Sequence, residues 1–67
     1  MAELPNAAVE RLIRKAGAAR VSTSATEAMI EILEDVAADV AAQASKLARH
    51  AGRKTVTAQD VRMAAKT

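Results

Sequence analysis

The sequence contains no cysteine and no phenylalanine, tyrosine or tryptophan. Without cysteine there are no disulfides and no thiolate metal ligands. A lone histidine, His50, leaves no ligand set for a structural zinc. The missing aromatics remove the stacking platforms on which single-stranded nucleic acid is held, and the lining usual in small-molecule pockets. Glycine occurs twice and proline once in 67 residues, so there is little turn-forming chemistry. No apolar run approaches the roughly 20 residues of a membrane-spanning helix. The opening Met1-Ala2-Glu3-Leu4-Pro5 lacks the basic-then-apolar order of a signal peptide, so a cytoplasmic location is expected. No nucleophile is paired with a base and no glycine-rich phosphate loop exists, so neither enzyme chemistry nor a cofactor is expected.

What is present is alanine, leucine, isoleucine, valine and charge. A chain of this length forms one domain, 1–67, and buries only roughly 60% of its unfolded surface, so it needs a staple or a partner. With disulfides and zinc excluded, a partner remains. Alanine abundance favours helix. Three helices are predicted. The first follows Pro5, which suits a helix start, and places Val9, Leu12, Ile13 and Ala16 at helical spacing before Gly17. The second runs from about Thr23 to Ala51, with either Ser22 or the Ser24–Glu27 pair as its cap. The third covers about Ala58 to Ala65 behind Thr57, with Asp60 three residues on.

The long helix carries Met29, Leu33, Val36, Val40, Ala44, Leu47 and Ala51 at steps of three and four, one apolar stripe. At 1.5 Å per residue it would be ~42 Å long, too long for two short helices to cover. A second copy crossing it antiparallel near Ala37 or Ala38 would cover it. Arg20-Val21 of one copy would then lie beside Lys54-Thr55-Val56 of the other, with a short strand pairing between them.

Charge is segregated. Glu27, Glu31, Glu34, Asp35 and Asp39 lie together without a base; Lys46, Arg49, Arg53 and Lys54 lie between Val40 and Val56 without an acid; Arg11, Arg14, Lys15 and Arg20 form a third, wholly basic cluster. Acids early and bases late suit the dipole of the second helix, but the first cluster lies outside that helix. The acids read as a solvated helix face. Segregated cations in two loops, each followed by a helix N-terminus, point to phosphates of duplex DNA. Nothing resembles a helix that reads base edges, so sequence preference should be weak and follow DNA bendability.

The run Lys46-Leu47-Ala48-Arg49-His50-Ala51-Gly52-Arg53-Lys54-Thr55, with Glu3-Leu4-Pro5, Arg14-Lys15-Ala16-Gly17-Ala18 and Arg20-Val21-Ser22, resembles the archaeal histones over essentially the whole chain. The resemblance implies an all-α histone fold: a short helix, a long central helix and a short helix, paired as a handshake dimer. It implies non-specific wrapping and compaction of double-stranded DNA, and chromosome association. Partners would be a second copy or a paralogue, with tetramers or longer polymers on DNA, and no membrane. By position, Arg20 resembles an arginine that enters the minor groove. Arg11, Arg14, Lys54 and Thr55 match phosphate-contacting positions, and Lys15 on the first helix and Arg53 in the second loop join the expected DNA-binding set as neighbouring cations. Arg53 and Asp60 match an intrachain ion pair, and Leu47, His50, Asp60 and Met63 match a surface where dimers join. There His50 would bond Asp60 of a neighbouring dimer, so its protonation would alter assembly. Gly17 matches a point where stacked layers approach. The chain departs from the family at Asn6, where an apolar residue is usual, at Ala19 and Thr57, and in lacking a basic C-terminal tail, which lowers the expected DNA affinity. Two rival readings are weighed. One is a histone-fold protein-interaction module with little DNA binding. The other, a membrane-active amphipathic helix, is opposed by the five acids of helix two.

Overall fold

The computed structural model describes residues 4–66. It contains three helices: α1, Asn6–Lys15; α2, Thr23–His50; and α3, Ala58–Ala65. No strand occurs among the described residues; the extended pairing foreseen for the loops requires a second chain. The segments group into two compact units that meet between Asp35 and Val36, within α2.

In the first unit, α1 begins behind Pro5, an extended N-cap (φ −68°, ψ 127°) without a side-chain cap bond. Proline therefore stands one position before the helix rather than in its first turn, and its carbonyl accepts the first helical bond, from Val9 N–H at 3.2 Å. Val9 and Ile30 are the buried apolar side chains of this unit, with Thr26 buried in the first turn of α2. The open choice of cap for α2 resolves to Ser22. Its hydroxyl accepts from Ala25 N–H at 3.0 Å, and its carbonyl accepts from Thr26 N–H at 3.2 Å. Ser24 lies inside the first turn, where its hydroxyl pairs instead with that of Ser22. Buried Thr26 satisfies its own hydroxyl by donating to Ser22 O at 3.3 Å.

In the second unit, Ala44, Ala48 and Ala64 are buried. Their small size lets α3 approach α2, and the two helices share a groove lined by Gln43, Lys46, Leu47, Met63 and Ala64. The inward side of α2 differs from the predicted stripe. Of the stripe residues only Ala44 is fully buried; Met29, Leu33, Val40 and Leu47 are half-buried, while Val36 and Ala51 are exposed. The fully buried positions are Thr26 and Ile30 in one unit, and Ala44 and Ala48 in the other. Within each unit, part of the stripe is buried and part is left open. Leu12, Ile32, Val36 and Met63 are each more than half exposed.

Candidate nucleic-acid interface

The second basic loop is the best-organised feature of the chain. It starts where α2 ends at Gly52, whose φ of +74° is readily available only to glycine. Gly52 N–H bonds Arg49 O at 2.9 Å and Arg53 N–H bonds Ala48 O at 2.9 Å. These two bonds make a Schellman close, which satisfies the carbonyls that a helix end leaves open. The chain then reaches α3 through a capping box: Asp60 N–H donates to the Thr57 hydroxyl at 3.3 Å and Thr57 N–H to Asp60 Oδ2 at 2.9 Å.

Between these two fixed ends, Arg53 ties the loop together. Its Nη1 donates to Asp60 Oδ2 at 2.9 Å and its Nη2 to Asp60 Oδ1 at 2.8 Å. This is the fork-on-fork geometry in which guanidinium and carboxylate bind most specifically. Nη1 also donates to Thr55 O at 3.0 Å. Asp60 is only 4% exposed, and three donors converge on its carboxylate. The Arg53 bond, and after it the Thr57 N–H, hold its pKa well below the usual carboxylate range; burial opposes them and loses. The same hydrogen bond raises the pKa of Arg53 further. Arg53 is thus committed to its own chain on one edge, while Lys54 and Thr55 are exposed. The Thr55 carbonyl is used internally, and its hydroxyl makes no part of that bond.

The first loop is built differently. Gly17, at φ 124°, closes α1 with its N–H on Arg14 O at 3.0 Å, and Arg20 follows, exposed, two residues before the Ser22 cap. The two loops therefore share the order glycine, basic residue, hydroxyl cap, helix, without the same helix exit. Along α1, Arg11, Arg14 and Lys15 are all exposed. Arg14 sits 3.6 Å from Glu10 in an exposed (i, i+4) pair, a contact weak enough, at ~0–1 kcal/mol, to give way to a phosphate. Glu10 is not among the residues singled out in the sequence, although the one-turn spacing announces the pair.

A family model described as histone-like transcription factor (CBF/NF-Y) and archaeal histone matches residues 2–65. The chain belongs to this histone-fold family. It is 61% identical over 66 residues to one subunit of the archaeal histone HAN1 of Thermococcus zilligii, with 98% of each chain covered. It is 48% identical over 64 residues to probable archaeal histone 3 of Methanocaldococcus jannaschii, with 96% of each covered. The all-α histone fold read from the sequence is the fold observed.

Of the remaining residues singled out in this histone, Leu47 and Met63 line the α2–α3 groove. His50 is exposed at the end of α2, beside Lys46, Leu47 and Arg49. Asp60 lies in α3's first turn, with Oδ2 accepting two bonds and Oδ1 one. Oδ1 keeps acceptor capacity, though the side chain is only 6% exposed. At Gly17 a β-carbon would meet nothing within 4 Å, so the chain itself imposes only the backbone requirement there. Among the described residues no cluster of acidic, histidine or cysteine side chains could hold a metal, and no helix is long and apolar enough to cross a membrane.

Proposed function

We propose that this histone-family chain binds and wraps double-stranded DNA without sequence preference, as a dimer that associates further on the duplex. The observation that carries the reading is the second loop. The Arg53–Asp60 fork, the Schellman close and the capping box fix its backbone before any ligand arrives, and Lys54 and Thr55 are left outward on that frame. A preorganised cation loses little conformational entropy on meeting a phosphate. Exposed Arg20 stands in the corresponding place in the first loop and enters the minor groove, while Arg11, Arg14 and Lys15 add phosphate contacts along α1. None of these groups is placed on a helix that reads base edges, so affinity comes from backbone charge and DNA deformability.

Dimer formation is supported by the large apolar side chains that the single chain leaves exposed, Leu12 and Ile32 in one unit and Val36 in the other, and by exposed alanines (Ala37, Ala38 and Ala41) that permit a second long helix to approach closely. Leu47, His50, Asp60 and Met63 form the surface on which dimers join. There, His50 donates to Asp60 Oδ1 of its neighbour. Gly17 faces the next layer in longer polymers. The name of the Thermococcus zilligii relative makes it one subunit of its histone, which supports testing this chain for pairing with a paralogue as well as with itself. Such a protein resides on the chromosome.

The test is relaxation of a closed plasmid by a topoisomerase in the presence of the protein, followed by topoisomer analysis. A shift in linking number is expected. An unchanged distribution with folded, dimeric protein overturns wrapping and leaves a protein-interaction module as the better reading.

A further inference from the structure

The end of α2 and the second loop enclose a groove of about 300 Å³ lined by Ser45, Ala48, Arg49, Arg53, Lys54 and Val56. Its floor is buried Ala48 and one wall is half-exposed Val56; the other four residues are three cations and a hydroxyl. No acid lines it. Asp60 is the carboxylate that answers Arg53. That leaves the positive charge of Arg49 and Lys54 without an ion-pair partner among the described residues.

Cations at a helix C-terminus ordinarily serve the open carbonyls and the dipole. Here three of the last four carbonyls, those of Leu47, Ala48 and Arg49, are already taken. Leu47 O and Ala48 O accept from Ala51 N–H at 3.2 and 3.1 Å, Ala48 O accepts also from Arg53 N–H, and Arg49 O accepts from Gly52 N–H. The side chains of Arg49 and Lys54 are not needed at these three carbonyls. Arg53 is also not spent. A guanidinium has five N–H donors, and the bonds to Thr55 O and the two Asp60 oxygens use three. Both hydrogens of Nη1 are engaged, so Nε–H and one Nη2–H remain. The groove's lining brings two kinds of cation and a hydroxyl to one concave surface, donor chemistry that suits a tetrahedral anion, with Arg49 offering a fork and Lys54 a point charge.

We propose that this groove seats a phosphate of the bound duplex, with Arg49 as a DNA contact in addition to the two loops and Ser45 as a neutral donor to the same phosphate. This rests on the DNA reading above. It extends the contact surface from the tip of the second loop back along the last two turns of α2.

The test is the salt dependence of duplex affinity for the full chain and for Arg49→Ala, Arg49→Lys, Ser45→Ala and Arg62→Ala. Arg62 is an exposed cation on α3 outside this groove. Each lost phosphate contact lowers the slope of log K against log salt by ~0.9. Arg49→Ala should lower it by that amount, and Arg49→Lys should restore the slope while recovering only part of the affinity. Ser45→Ala should weaken binding a few-fold at unchanged slope, and Arg62→Ala should leave the slope nearly intact. Thermal melting of each variant separates loss of contact from loss of fold. A wild-type slope near zero overturns the DNA reading, and this inference with it. A steep wild-type slope that Arg49→Ala leaves unchanged, or that Arg62→Ala lowers equally, overturns this inference alone.

Discussion

Ile32 offers a direct measure of how much of this fold belongs to a partner. It is 58% exposed in the single chain, on a helix whose opposite residues already supply the core, so shortening it removes little of the chain's own packing. Replacing isoleucine with alanine deletes three carbons, worth about 2.4 kcal/mol if fully buried at ~0.8 kcal/mol per methylene. Only the 58% left exposed by the chain itself is available for a partner to cover, which scales the loss to about 1.4 kcal/mol. A two-fold dimer carries the substitution twice, so the expected loss is about 2.8 kcal/mol, or ~100-fold in the dissociation constant. Alanine is the better helix former, so α2 itself is not weakened. Sedimentation equilibrium over a dilution series, with the concentration dependence of thermal unfolding as a second reading, measures the change. A dissociation constant altered less than about three-fold, well below the ~100-fold expectation, would show that Ile32 stays in water in the dimer and that the open apolar surface is covered elsewhere. A wild-type chain that is monomeric and folded at all concentrations would refute the partnered core altogether.

Three further outcomes follow from the site. Arg20→Ala combined with Lys54→Ala should weaken binding to all duplex sequences about equally and lower the salt slope by roughly 1.8, two contacts at ~0.9 each; loss confined to particular sequences would contradict non-specific recognition. Thr57→Ala removes the cap acceptor for Asp60 N–H and should cost about 1 kcal/mol, seen as a fall of roughly 4–8 °C in melting temperature for a domain of this size, with the second loop loosened in amide exchange. The Asp60 pKa is depressed in the folded chain, so its contribution to stability is complete above the ordinary carboxylate value of ~3.9 and is lost as pH falls below it. Urea midpoints between acid and neutral pH should therefore drop more steeply for the wild type than for Asp60→Asn, which should be the less stable at neutral pH; parallel curves would mean that the carboxylate is not coupled to folding.

Much of this was legible in the sequence because it is local. Glycine after a helical run, serine or threonine before one, and apolar spacing of three and four placed all three helices to within a residue or so at each end. Asp60 three residues after Thr57 announced the cap. The resemblance implied the Arg53–Asp60 pair, and the structure places the two side chains in a bidentate fork. What the pattern could not separate was Ser22 from Ser24 as the cap, because both spacings suit a helix start and only the backbone entering α2 decides which hydroxyl reaches Ala25 N–H. Nor could the stripe on α2 show its own division. Spacing marks a residue as apolar-facing, but which part of that face its own chain covers depends on where α1 and α3 lie. The groove of Ser45, Arg49, Arg53 and Lys54 was equally hidden: the sequence counted those cations as a basic segment, and only the turn at Gly52 folds them onto one surface. Local chemistry along the chain determined the helices, their ends and the loop charges. The tertiary structure decided which apolar residues remain open and which cations converge, since both depend on contacts between segments distant in sequence.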